Sequence, residues 1–178
     1  MTAPDPPAVD PADGMRKVLR HLAATLAYRA AKALRDAPAE FPAATMGAAT
    51  RRPVEIVAHM ADLMAWAVHL ARGEHIWNAA GSDDWEVEVQ RFFDGLSLLD
   101  GELAAREITD TAMQKLTQGP LADALTHVGQ LAMLRGVAGA PIRPESYARA
   151  EIVAGRVDRA QAAPRFEFDG DASGRVVK

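Results

Sequence analysis

The chain has 178 residues, 49% of them apolar and 25% charged, the size and balance of one globular domain with a real core. A formal net charge of −4 gives no basic footprint for nucleic acid, so a small molecule is the expected partner. With no cysteine, disulfides and thiolate metal sites are excluded, and any metal must be held by His, Asp or Glu.

Residues 1–12 are rich in Pro, Ala and Asp and read as a loose arm. Met1 to Pro7 carries prolines where a signal peptide needs a basic patch and an apolar run. No later window reads as apolar for long enough to span a bilayer. A cytoplasmic protein without a membrane partner is therefore expected.

From Asp13 the apolar residues Met15, Val18, Leu19, Leu22, Leu26 and Ala33 recur at three- and four-residue steps, predicting a first helix over 13–36. The stretch Asp36 to Arg52 holds Pro38, Pro42 and Gly47 without periodicity and reads as a connection. A second helix over 53–72 opens at Pro53, whose fixed φ suits the first helical position, and stops at Gly73. A third, over 83–105, follows the N-cap chemistry of Ser82-Asp83-Asp84 and carries Trp85, Phe92 and Phe93 on its apolar face. A short polar segment from Thr109-Asp110 to Gln118-Gly119 leads to a fourth helix over 120–138, starting at Pro120 and ending before Gly139-Ala140-Pro141. Beyond Ile142 one short helix is expected around Tyr147 to Val153. Arg165-Phe166-Glu167-Phe168-Asp169 then alternates like a strand before Gly170, which suggests a short hairpin in a tail over 158–178. Four amphipathic helices without a convincing strand imply an all-α, four-helix bundle over 13–157.

Asp123 and His127 stand four residues apart on the fourth helix, so a carboxylate oxygen and an imidazole nitrogen can reach one metal ion. On a helical wheel His59 falls on the shoulder of the second helix's core face, whereas His69 falls on its polar side. Two ligands from one helix and one from another leave open positions for water or substrate, as catalytic metal sites do. The plainer reading of any single histidine at the edge of an apolar face, His21, His69 and His75 included, is a structural residue. Glu88 and Asp100 lie on or beside the third helix's apolar arc and need partners there. A salt bridge to Arg91 or Arg135 is the structural answer, and a bond to a ligand histidine the functional one. No P-loop, Rossmann glycine pattern or Ser-His-Asp order is present.

The segments Pro53-Val54-Glu55-Ile56-Val57-Ala58-His59-Met60-Ala61-Asp62-Leu63 and His127-Val128-Gly129-Gln130-Leu131, the latter followed by Leu134-Arg135 and Gly139-Ala140-Pro141-Ile142, resemble the DinB/YfiT-like superfamily. The resemblance extends over most of the chain. It implies an up-and-down bundle, usually a homodimer, with a divalent metal such as zinc or nickel in a groove between helices. Members of that superfamily typically use one histidine from the second helix and a His-x-x-x-His pair from the last. Carried across, these positions are His59, Asp123 and His127, with Asp123 standing where a histidine is expected. The implied activity is metal-dependent thiol transfer or hydrolysis of a small substrate, with a low-molecular-weight thiol as one candidate cosubstrate. Gln130, one turn beyond His127, is the candidate to orient a ligand or substrate. The alternative is a non-catalytic, stress-related binding or dimerisation bundle whose metal site has decayed. Dimerisation draws further support from Trp66, Trp77, Trp85, Phe92 and Phe93, more aromatic area than one small core obviously needs.

Overall fold

A computed structural model describes residues 11–45, 47–48 and 50–168. Those residues are all-α, without a named strand. The long helices are α1 (Pro11–Leu34), α2 (Pro53–Ala71) and α3 (Trp85–Ala105). The short α4 (Asp110–Leu116) follows and leads into α5 (Ala122–Val137). Helix α2 is the hub: it packs most extensively on α3 and also meets α4 and α5, while α1 lies against α3 and α5.

The predicted boundaries of α2 and α3 hold to within two residues because their signals are chemical. Pro53 is the first residue of α2, and the Glu55 carboxylate accepts the Arg52 backbone N–H at 2.7 Å. Gly73, just past its end, adopts φ 80°. Asp84 caps α3 by accepting the Val87 N–H at 3.1 Å. The composition of α2 follows from its position. It is long and apolar enough to cross a membrane, with a mean hydropathy of 1.3, yet 72% of that window is buried inside the fold. This corrects the expectation that no window reaches that length and apolarity: a helix with neighbours on several sides must be apolar nearly all round.

Other departures have equally local causes. Met15 and Val18 are exposed on α1, whose buried face is formed instead by Leu19, Leu26 and a run of alanines that allows close packing. Phe41 falls by sequence in the connection after the first helix, but a 3-10 turn (Phe41–Ala43) drives it fully into the core, edge-on to Trp85. The supposed polar segment before Pro120 is α4, capped by Thr109, whose hydroxyl accepts the Ala112 N–H, and anchored by buried Met113 and Leu116. A π-type turn, Thr117–Leu121, carries the chain from α4 into α5; Pro120 lies within this turn, so α5 starts at Ala122.

Arg135 is buried at the far end of α5. Its guanidinium donates to the carbonyls of Ala33, Arg35, Asp36 and Ala140, so it closes the C-terminal end of α1 and does not pair with Glu88 or Asp100. Glu88 bonds Ser82 and lies 3.2 Å from Arg91. Asp100 receives a two-pronged bond from Arg20 at 2.8 and 2.9 Å. Both carboxylates thus take the structural answer.

The chain beyond α5 is docked on the helices. Tyr28 and Lys32 of α1 both donate to the buried Glu145 carboxylate, at 2.7 and 2.8 Å, and Lys32 also reaches Glu167. Arg35 donates to the Gln161 carbonyl. The expected short helix is a 3-10 turn, Tyr147–Arg149. In place of a hairpin between neighbouring segments, the described residues hold one antiparallel bridge joining Glu145 to Glu167. The expected turn at Asp169-Gly170 and the loose arm over 1–10 lie outside the described residues, and Pro11 and Ala12 already belong to α1.

Candidate metal centre

Helices α2 and α5 bring His59, Asp123 and His127 together. One ligand atom from each lies within 4.8 Å of the others, and among the described residues this is the group that could hold a metal ion. His59 projects from the middle of α2, partly exposed beside buried Ala58 and Met60. Asp123 and His127 share one stripe of α5, as a four-residue step on a helix requires. The His59 and His127 rings are 5.0 Å apart, edge to face.

The distances fit a shared cation better than direct hydrogen bonds. Asp123 Oδ2 lies 3.4 Å from His59 Nε2, and Asp123 Oδ1 lies 3.4 Å from His127 Nε2. A charge-assisted N–H···O bond would be about 2.7–2.9 Å. Two ligand atoms each about 2.1 Å from one ion at a tetrahedral angle stand about 3.4 Å apart. The donor set of two imidazoles and one carboxylate suits a first-row divalent metal.

Gln130 completes the arrangement. Its Oε1 is 2.8 Å from His127 Nδ1, so an Nδ1 hydrogen is donated to it, and Nε2 faces Asp123. Gln130 thus touches the group through His127 alone. Its own amide N–H groups have no protein partner among the described residues.

Burial lowers the His59 pKa from its ordinary value; the positive charge of Arg51 and the neighbouring His127 add to this, and the Asp123 carboxylate opposes it. His59 is consequently held in the neutral form that a metal requires. Its ring stacks edge-on against Trp77, 5.9 Å between centres, and Trp77 in turn meets Trp66 at 5.8 Å. Trp66 presses on the turn before α5, where a Cβ added to Gly119 would come within 3.2 Å of its ring. Gly119 has non-helical backbone angles (φ −96°, ψ −105°), so the close approach and the turn that sets the start of α5 coincide.

The three residues open into a groove of about 550 Å³, also lined by Thr50, Arg51, Ile56, Gln130, Met133 and Leu134. Arg51 and Trp77 were not among the expected site residues, since both lie in segments without periodicity. The only sequence signal for Arg51 is its place two residues before Pro53, at the mouth of the helix that carries His59. The remaining histidines stand apart: His69 bonds Glu74 at 2.6 Å and His75 lies 3.0 Å from Lys115.

Comparison with models of protein families, with curated proteins and with solved structures found no match for this chain.

Proposed function

We propose that the chain is a DinB/YfiT-like enzyme, an up-and-down four-helix bundle in which His59, Asp123 and His127 hold one divalent ion, zinc or nickel. Its reaction would be thiol transfer to, or hydrolysis of, a small substrate in the groove. The observation that carries this reading is the convergence of three potential ligand atoms within 4.8 Å in the lining of an open groove. When bound, such an ion lowers the pKa of a thiol or water and so supplies a nucleophile near neutral pH. The protein's part is orientation. Gln130 fixes the His127 tautomer, burial keeps His59 neutral, and Asp123 offsets part of the positive charge.

A second reading, a non-catalytic binding or dimerisation bundle, is favoured by one observation. Asp123 replaces the histidine that the resemblance implies, and it already lies within ion-pair distance of both histidines, a set that a proton alone can satisfy. Elemental analysis of protein purified without an affinity tag separates the two. Close to one zinc or nickel per chain supports the enzyme, and background metal after incubation with either ion supports the scaffold. The homodimer and the cytoplasmic location belong to the same proposal, although Phe92 and Phe93 lend the dimer no surface because the core buries both. Light scattering at micromolar concentration tests the dimer.

A further inference from the structure

The groove adjoins a second depression that shares Arg51 and His59 and contains Glu55, Asp62 and Asp83. These carboxylates are already spent. Arg52 lies 3.0 Å from Glu55 and 2.7 Å from Asp83, and Arg91 pairs with Asp62. Asp123 is committed to the two histidines. Arg51 is different: among the described residues its guanidinium has no hydrogen bond and no carboxylate within ion-pair distance, and it lines both depressions. The second unspent donor is the Gln130 amide, on the same groove wall as His127. The groove lining also includes the apolar side chains of Ile56, Met133 and Leu134.

An exposed guanidinium that makes no hydrogen bond among the described residues and feels Glu55 only at long range, in the lining of the groove that also holds His59, Asp123 and His127, can receive an anionic group on the substrate. We propose that the site takes a small substrate bearing a carboxylate, which Arg51 receives at the rim while the reacting end faces His59, Asp123 and His127. The proposal rests on the metal-site reading above. A carboxylate fits better than a phosphate because a single guanidinium balances a single negative charge, whereas phosphate sites gather several donors around about two charges. The apolar side chains in the lining suit a short hydrocarbon linker. Arg51 is then a specificity residue and takes no part in holding the ion.

The test measures zinc content and, by calorimetry, the binding of two probes that differ in one group, mercaptoacetate and 2-mercaptoethanol, to the zinc-loaded full chain. The wild type should bind mercaptoacetate at least about ten-fold tighter than the neutral thiol, the gain expected of one charge-assisted hydrogen bond. R51Q should lose that preference and keep one zinc per chain, while R51K should retain part of it. Equal binding of the two thiols by the wild type, or an unchanged preference in R51Q with zinc still bound, overturns the carboxylate site and leaves the metal reading standing. Failure of the wild type to take up zinc overturns both. Inorganic phosphate displacing mercaptoacetate from wild type but not from R51Q, at lower concentration than acetate does, would reassign the rim to phosphate and also refute the proposal.

Discussion

Substitution of Gln130 tests whether the histidine geometry is tuned for a metal. Its Oε1 accepts the His127 Nδ1 hydrogen at 2.8 Å, and it reaches no other ligand of the site. Loss of such an outer partner typically lowers metal affinity by about 10–100-fold. Gln130 is exposed, so water can replace the lost acceptor once the side chain is cut back. Gln130→Ala should therefore fall at the low end, about ten-fold weaker, or about 1.4 kcal/mol. Gln130→Glu puts a full negative charge on the same hydrogen, makes the ring more basic and should tighten binding. The structure supplies the assay: the Trp77 ring centre is 5.9 Å from that of His59, so titration with paramagnetic cobalt or nickel should quench tryptophan emission. If Gln130→Ala binds within two-fold of wild type while His127→Ala binds nothing, Gln130 does not orient His127 and the assigned tautomer has no functional weight.

His127→Ala itself should bring metal per chain down to background with unchanged far-ultraviolet circular dichroism, because α5 is held by Ala124, Val128, Leu131 and Leu134; a collapse of helical signal would refute that separation. Gly95→Ala should destabilise although alanine is the better helix former by about 1 kcal/mol, since its Cβ would stand 2.7 Å from Met64 Cβ and overpacking costs about 1–3 kcal/mol. Gly101→Ala, on the same helix with nothing within 4 Å, should instead stabilise, by up to about 1 kcal/mol; urea midpoints moving in the same direction for both would contradict the α2–α3 packing. Burial, then the bond to Glu145, raises the Tyr28 pKa; for Lys32 burial pulls downward, but the bonds to Glu145 and Glu167 outweigh it and the net shift is upward. Groups with raised folded pKa values contribute stability that is complete below their unfolded values, about 10 for both, and is lost as pH rises through the folded ones. The urea midpoint should hold up to about pH 10 and fall beyond it, less steeply in Tyr28→Phe; a decline beginning near neutral pH would show that this network is not what alkali breaks.

What could be read directly from the sequence is what a period or a cap encodes. Pro53, Asp84 and the heavy apolar patterning of α2 and α3 act within a few residues, and so does the four-residue step that sets Asp123 beside His127. The wheel position of His59 gave its side of the helix correctly, because the angle depends only on helical geometry. The misreadings concern residues whose environment is distant in sequence. Phe41 is core only because Trp85 and Arg135 meet it from elsewhere in the chain. Lys32 and Glu145 look like surface residues until the chain beyond α5 folds back to pair them.

The same distinction explains why the candidate group of His59, Asp123 and His127 was legible and its support was not. A metal-binding pair on one helix is a local pattern, but the distance from it to His59 depends on how α5 enters the fold. That entry is set by the π-type turn at Thr117–Leu121, where the chain gives up regular helix beside Trp66. Trp66 passes the contact to Trp77, and Trp77 to His59. The aromatic chain thus ties the backbone turn that positions Asp123 and His127 to the imidazole that must meet them. A side chain at residue 119 would press on Trp66 first, so its effect on metal affinity should travel through the ring stack to His59. Gly119→Ala should weaken cobalt or nickel binding and change the accessibility of Trp77 to a neutral quencher such as acrylamide, whereas weakened binding with unchanged Trp77 accessibility would place the coupling in the backbone of the turn alone.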